Sequence, residues 1–412
     1  MMAAGRSDLL RKRGSPQQAT FLELFFDLAF VFVIQRIALR VTEHLARPGL
    51  AESWLALPDA GRTLLLLLPL TWVWTMTTWT TARLDPRRLP VQVIVIMTMF
   101  GVLIMSAGLT TAFRGGGPAF AVPYVVIQVG RVVVLKVMLR GHDLEDTVTR
   151  DLVWFTLTGI LWIAGAFTHD GTRVVLWVAA AAGDYLAARL GWPVPKLGRA
   201  RAIPWAAAGE HLADRYQQFL LIALGESVLA LAAAYTMGLY DVESTAAFVI
   251  GFATTVLLWR IYFYRAGQIL ADAIAASKDP ARLGRVAAFT HWIMILGIII
   301  TAIGYELTIS HPLEAARGQL AVGHTKLAWL IFILGGPALY VAGRAHFEYV
   351  VFARVSRPRI IGVIILVLAA PLVHLLPPVL ASLTAALVLA GIAITDAARA
   401  RGKPLEAPSP PE

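Results

Sequence analysis

The residues of this sequence that could do chemistry are ionisable side chains inside long apolar segments. Glu23 and Asp27 share one face of the first segment, since residues four apart lie on the same side of a helix. Glu210 and Asp214 repeat this spacing at the start of a segment in the second half of the chain. Carboxylates in such places are typical of sites that bind a cation or relay protons.

Glu226 differs from these pairs because it stands near the middle of its apolar segment, directly after Gly225. Arg215 shares its helix face but lies about 16 Å away at helical rise. A carboxyl at this depth has to be neutral, paired across helices or hydrated. We expect Glu226 to bind or relay a proton or cation. The alternative is a protonated carboxyl that donates a hydrogen bond to a neighbouring helix.

Further ionisable residues fall in what we expect to be the same inner half of the membrane. These residues are Arg131, Asp184, Arg215, Arg260 and His291. One interpretation is a polar vestibule that opens to the cytoplasm, in which Arg131 and Arg215 set the charge state of the carboxylates. The other is a set of buried ion pairs, such as Asp27 with Arg131, that fix helix packing.

The composition identifies the solvent of most of the chain. Hydrophobic residues make up 58% of the 412 residues, charged residues only 15%, and the mean hydropathy is +0.69. A soluble protein could not bury so much apolar surface, so lipid is the expected solvent. The chain has no cysteine, which excludes disulfides and thiolate metal sites. We expect no cofactor and no bound metal.

The sequence predicts an all-α, polytopic membrane protein of about twelve transmembrane helices, each roughly 20 apolar residues long. A basic N-terminus at 1–20 precedes a transmembrane domain at 21–396, and a Pro-rich tail at 397–412 is expected to be disordered. Two parallel six-helix repeats, 21–205 and 206–396, are a further option. The candidate segments are 21–45, 62–82, 89–112, 119–139, 152–169, 173–190, 212–236, 245–266, 287–309, 325–344, 359–376 and 378–396.

Basic residues in alternate loops predict the orientation. With the N-terminus inside, cytoplasmic loops carry roughly four times as many Lys and Arg residues as the outer loops. This pattern places both termini in the cytoplasm and the protein in the inner (cytoplasmic) membrane. The net charge of +10 is explained in the same way, because basic cytoplasmic loops face the anionic headgroups of membrane lipids. We therefore expect membrane lipid as a partner and no binding of nucleic acid.

Several motifs together resemble the bacterial low-temperature-requirement protein A family. They are Glu23-Leu-Phe-Phe-Asp27, His211-Leu-Ala-Asp-Arg215, Leu224-Gly-Glu226-Ser, Trp259-Arg-Ile-Tyr-Phe263, Ala302-Ile-Gly-Tyr-Glu306 and Gly335-Gly-Pro-Ala-Leu-Tyr340. The resemblance covers most of the chain and implies a multi-spanning membrane protein linked by name to growth in the cold. Arg260 and Tyr264 depart from the pattern, which usually has a tryptophan and an acidic residue there. A cation site built from this span is therefore not implied.

The function expected from these residues is a transporter or channel for a proton, a small cation or a small solute. The alternative is a membrane-embedded enzyme or lipid-handling protein acting on a phospholipid or polyprenyl phosphate held by the arginine cluster. We favour a non-enzymatic role, because the short loops leave no room for a catalytic domain and no nucleotide loop, zincin motif or nucleophile elbow occurs. Assembly as a homo-oligomer stays open.

Overall fold

The structure is a computed structural model that describes residues 9–11, 18–45, 57–199, 205–238, 240–264, 269–313, 323–402 and 406–410. Within these ranges the ordered elements are helices, and pairing of the β type is limited to two isolated bridges, Leu10 with Leu84 and Val194 with Gly198. The predicted all-α class is confirmed. Most of the predicted N-terminal segment 1–20 and the side chain of Glu210 lie outside what the structure describes. The same holds for residues 200–204, directly before the predicted boundary between 205 and 206.

Helices occupy every segment that the sequence predicts. The first six are α1 (Phe21–Leu45), α2 (Leu57–Arg83), α3 (Leu89–Gly108), α4 (Gly117–Met138), α5 (Glu145–Ala166) and α6 (Asp170–Arg189). They are followed by α7 (Trp205–Thr236), α8 (Val242–Phe263), α9 (Ile269–Ala276) and α10 (Pro280–Ser310). The last are α11 (Leu327–Leu330), a π-helical turn (Ile331–Gly335), α12 (Gly336–Phe352), α13 (Arg357–Val373) and α14 (Pro378–Ala400). The short helix α9 is not among the predicted segments.

Seven helices in the described ranges are long and apolar enough to cross a membrane, judged by length and composition. They are Leu89–Gly108, Gly117–Met138, His211–Thr236, Val242–Phe263, Leu283–Ser310, Leu327–Phe352 and Pro378–Ala400. This finding supports an integral membrane protein. Helices α1, α2, α5, α6 and α13 fall short in length or in apolar character, so the number of about twelve spans stays a prediction.

Contacts divide the chain into two units. The first comprises the described residues of 1–40 and 57–211, and the second those of 41–56 and 212–412. In the first unit, α3, α4, α5 and α6 each pack on the preceding or following helix, and α2 contacts α3, α4 and α6. In the second unit, α10 packs against α8 and α12, while α14 packs against α8 and α13.

The sequence Gly335-Gly336-Pro337 predicts a kink or a break within a span. The structure has a π-helical turn at Ile331–Gly335, which interrupts the α-helix two residues before Pro337, and α12 then continues through Phe352. Proline lacks the N–H that would close the normal helical hydrogen bond, so the backbone widens locally where the ladder is interrupted. The turn lies against α10, where an added Cβ on Gly304 would stand 2.9 Å from the carbonyl oxygen of Phe332.

Part of the predicted disordered tail has a defined position. The backbone N–H of Ser409 donates a hydrogen bond to the carbonyl oxygen of Val351 at 3.0 Å, and Glu406 forms an ion pair with Arg354. Helix α14 also extends to Ala400, beyond the predicted end of the transmembrane domain at 396. Residues 406–410 therefore lie beside the end of α12.

Candidate functional site

Glu226 is the most unusual ionisable residue that the structure describes. Helix α7 places it near the middle of the apolar span His211–Thr236, and its side chain is only 1% exposed. Within the described ranges, neither carboxyl oxygen has a hydrogen-bond partner. Burial of an ionised carboxylate without donors costs several kcal/mol, so this group has to carry a proton or face a cation.

A second carboxyl lies within electrostatic range of Glu226. Glu306 belongs to the last turns of α10, is half-buried and interacts with the hydroxyl of Thr42. Two carboxyls that share an apolar environment disfavour double ionisation, so either a proton or a cation stabilises the pair. Glu306 is not among the predicted site residues. In the sequence it is marked by its position near the end of an apolar segment and by the motif Ala302-Ile-Gly-Tyr-Glu306.

Glu23 is engaged by several partners in the first unit. Oε1 lies 2.7 Å from Nε2 of the buried His211, and Oε2 accepts hydrogen bonds from the backbone N–H and hydroxyl of Thr20 at 2.8 and 2.9 Å. Arg11 Nη2 lies 3.4 Å from the same oxygen. The Thr20-x-x-Glu23 spacing is that of a capping box, in which Glu23 satisfies a backbone donor before the first turn of α1.

Asp27 and Asp184 are likewise buried with donors in place. Trp74 Nε1 donates to Asp27 Oδ1 at 2.8 Å. Asp184 accepts from Tyr124 Oη and Thr158 Oγ1, both at 2.6 Å, and from Trp162 Nε1 at 3.2 Å. These contacts favour the packing interpretation for both carboxylates, since their oxygens join helices rather than face an open vestibule.

We expect Asp184→Asn to lower the free energy of unfolding by about 1–3 kcal/mol, because the new amide turns an N–H₂ group toward buried donors. Thermal unfolding in detergent would measure this loss. The exposed Asp146→Asn is the matched control and should leave stability nearly unchanged. Equal stability of Asp184→Asn and the parent protein would contradict the packing role.

Arg131 does not form the ion pair with Asp27 that the packing interpretation offered as its example. Its Nη2 donates to Gln128 Oε1 at 2.6 Å, and its guanidinium lies 5.9 Å from the centre of the Phe155 ring. The carboxylate that interacts with it electrostatically is instead Asp151 of α5. Helix pairing explains the difference, because α4 packs along α5.

The remaining predicted site residues of the second unit have varied surroundings. Asp214 accepts a hydrogen bond from Gln218 Nε2 at 3.1 Å, and Arg215 is fully buried. The guanidinium of Arg260 stacks 4.5 Å from the ring of Tyr264, the two residues that depart from the family pattern.

His291 is held in a network of buried aromatic side chains. Nδ1 lies 2.7 Å from the carbonyl oxygen of Ala287, and Nε2 lies 2.7 Å from Tyr262 Oη. The ring stacks on Tyr216 with centroids 5.2 Å apart. A neutral imidazole satisfies both contacts, since Nδ1–H donates to the carbonyl while Nε2 accepts from the hydroxyl. The predicted vestibule residue is therefore part of the packed core of the second unit.

Comparison with known proteins places the chain in a family. The family model described as bacterial low temperature requirement A protein (LtrA) matches residues 18–394, nearly the whole chain. The chain belongs to the LtrA family. It is also similar to a protein of Rhizobium meliloti (strain 1021) described as "Uncharacterized protein RA0937", with 32% identity over 347 residues. That match covers 83% of this chain and 80% of the relative. No solved structure matches the chain.

The resemblance of the sequence motifs to this family is thereby confirmed. The matched range contains the buried carboxyls Glu23, Asp27 and Glu226 as well as the π-helical turn before Pro337. Family membership and the apolar helices together support an integral membrane protein.

Proposed function

We propose that this LtrA-family protein moves protons or a small cation across the membrane, with Glu226 as the group that binds the ion. The observation that supports this proposal is the position of the Glu226 carboxyl near the middle of an apolar span. Its side chain is 1% exposed and has no hydrogen-bond donor among the described residues. A glutamate retained solely for packing would be expected to have donors, as Asp184 has.

The proposed mechanism uses the electrostatics of two carboxyls. With Glu306 in electrostatic range, a bound proton or monovalent cation removes the like-charge repulsion and the cost of desolvation together. Release of the ion restores that cost, so the unloaded state favours access of water to the carboxyls. Such a group suits a carrier or a channel whose occupied and empty states differ in hydration.

We propose an inner-membrane topology to accompany this role. The protein would have about twelve spans if five further helices cross the membrane in addition to the seven that are long and apolar enough. These five are α1, α2, α5, α6 and α13. Both termini would then lie in the cytoplasm, beside the basic loops. Two six-helix halves with parallel orientation would follow from this count.

Flux in proteoliposomes tests the proposal. We expect purified protein in liposomes to dissipate an imposed proton, sodium or potassium gradient, and Glu226→Gln to reduce the flux to that of protein-free vesicles. The amide cannot exchange a proton and carries no charge to hold a cation, whereas Glu226→Asp retains both properties and should retain measurable flux. A pH-sensitive dye inside the vesicles and ion-selective electrodes would record the result.

The control variant is Asp146→Asn, which removes an exposed carboxyl from the first turn of α5. It should transport like the parent protein when reconstituted at the same density. Unchanged flux in Glu226→Gln, with the gradient-driven flux of the parent protein intact, would refute the role of this residue. Absence of flux for all three ions in well-folded parent protein would refute ion transport itself.

A further inference from the structure

Three arginines of the first unit lie within electrostatic range of one aspartate, at the end where α2 and α4 finish and α5 begins. Asp151 of α5 interacts electrostatically with Arg83 of α2, Arg131 of α4 and its neighbour Arg150. Arg131 and Asp151 both lie about two turns inside their helices. Arg150 also donates to the carbonyl oxygen of Leu197 at 2.5 Å, which joins the loop after α6 to this end of the unit.

Several hydrogen-bonding groups of this cluster are buried without a partner. Within the described ranges these atoms are three donors, Arg83 Nε, Arg131 Nη1 and Arg150 Nε, and one acceptor, Asp151 Oδ1. Arg131 and Arg150 are 6% and 8% exposed, and no ion pair in those ranges joins any of the three guanidiniums to Asp151. Buried donors on charged groups are normally satisfied, so unsatisfied ones mark a place for a ligand with acceptor oxygens.

The charges define the class of that ligand. Three guanidinium groups and one carboxylate leave a formal excess of two positive charges, which matches the dianion of a phosphate monoester. Arginine recognises phosphate through several N–H donors at once, and its weak hydration makes a buried position less costly than for lysine. We propose that Arg83, Arg131 and Arg150 form a binding site for a phosphate group.

The position of the cluster leaves two sources for the phosphate group. A site one to two turns inside a helix end lies near the depth of lipid phosphates at the membrane surface. Exposed basic residues of the same end, Arg87 and Lys196, raise the local concentration of anions of either kind. A lipid headgroup with a phosphate monoester and a free phosphate from the aqueous phase share the chemistry that the site recognises.

Ligand-dependent stabilisation of the full-length protein tests the proposal. The thermal midpoint would be measured in a neutral detergent with inorganic phosphate against chloride at equal ionic strength. In a second arm, micelles with phosphatidic acid are compared with micelles of phosphatidylcholine. We expect a rise of at least about 3 °C with one of the two probes at saturation. A rise with phosphatidic acid identifies a lipid, and a rise with inorganic phosphate alone identifies a soluble phosphate.

Substitutions assign the effect to the cluster. Arg131→Gln and Arg83→Gln should each weaken binding by about tenfold or more, because each removes charge-assisted donors. Arg87→Gln removes the same charge from an exposed position at the same end and should bind like the parent protein. If Arg131→Gln does not fold, Arg83→Gln still reports the loss of phosphate binding, because Arg83 is only half-buried. No shift with either probe, or equal shifts in the parent protein and Arg83→Gln, would overturn the proposal.

Asp151→Asn separates an anion site from a purely structural cluster. The substitution lowers stability without ligand in both cases, since it leaves three arginines without their carboxylate. In an anion site it also raises the affinity for phosphate, because one repulsive charge is gone. An unchanged or weaker affinity of Asp151→Asn for the probe that binds the parent protein would count against the site. The experiment does not depend on ion flux through Glu226.

Discussion

Arg359→Ala is expected to lower the free energy of unfolding by about 3–5 kcal/mol. Arg359 begins α13 with its side chain 7% exposed, and it forms ion pairs of 2.7 Å with both Glu348 of α12 and Asp396 of α14. Removal of the guanidinium takes the bridging cation away from two carboxylates that are only 13% and 18% exposed. Reversible unfolding in mixed detergent micelles would measure the loss.

Arg354 supplies the matched control for Arg359. It also forms an ion pair with a glutamate, Glu406, but its side chain is 63% exposed and solvent screens the pair. We expect Arg354→Ala to change stability by no more than about 0.5 kcal/mol. The triple variant Arg359→Met, Glu348→Gln and Asp396→Asn should recover part of the loss, since it buries no unpaired charge. Similar losses for Arg354→Ala and Arg359→Ala would show that burial does not govern this ion-pair network.

Gly297→Ala is expected to destabilise the second unit by about 1–3 kcal/mol through overpacking. Gly297 lies where α10 crosses α12, and an added Cβ would stand 2.6 Å from the backbone nitrogen of Tyr340. Backbone atoms cannot rotate away as a flexible side chain can, so the two helices have to separate along their contact. The same unfolding assay would detect the loss, accompanied by weaker protection of the Tyr340 amide in hydrogen exchange.

Gly391→Ala tests whether the effect belongs to the contact and not to the loss of a glycine. Gly391 lies on the exposed side of α14, and an added Cβ meets no atom of the described residues within 4 Å. Alanine has the higher helix propensity, so this substitution should be neutral or stabilising by up to about 1 kcal/mol. Destabilisation of Gly391→Ala as large as that of Gly297→Ala would refute the packing argument.

The pattern of buried polar atoms without partners indicates two regions of functional interest. Glu226 lies in a family motif and has no donor among the described residues, so its burial calls for an ion. The arginines near Asp151 have buried donors without partners, close to the expected membrane surface. Such donors favour the binding of an anion.

The sequence by itself determined the solvent, the helical class and the family. Apolar segments of membrane-spanning length predict helices from composition alone. The reason is that hydrocarbon offers the backbone no hydrogen-bond partners, so the backbone groups have to bond to one another within the helix. The depth of Glu226 follows from the same segments. The motifs around Glu23, Asp27 and Glu226 were also sufficient to indicate the family that the comparison confirmed.

Only the tertiary structure decided which buried charges have partners. Position along a helix gives the depth of a side chain but not the neighbour that faces it, since that depends on how helices pack. Asp184 and His291 therefore proved to be hydrogen-bonded core residues. Arg131 lies near Asp151 rather than Asp27, because α4 packs along α5. Glu226 alone among the predicted carboxylates is buried with both oxygens unsatisfied in the described ranges, a property that no local pattern of residues could show.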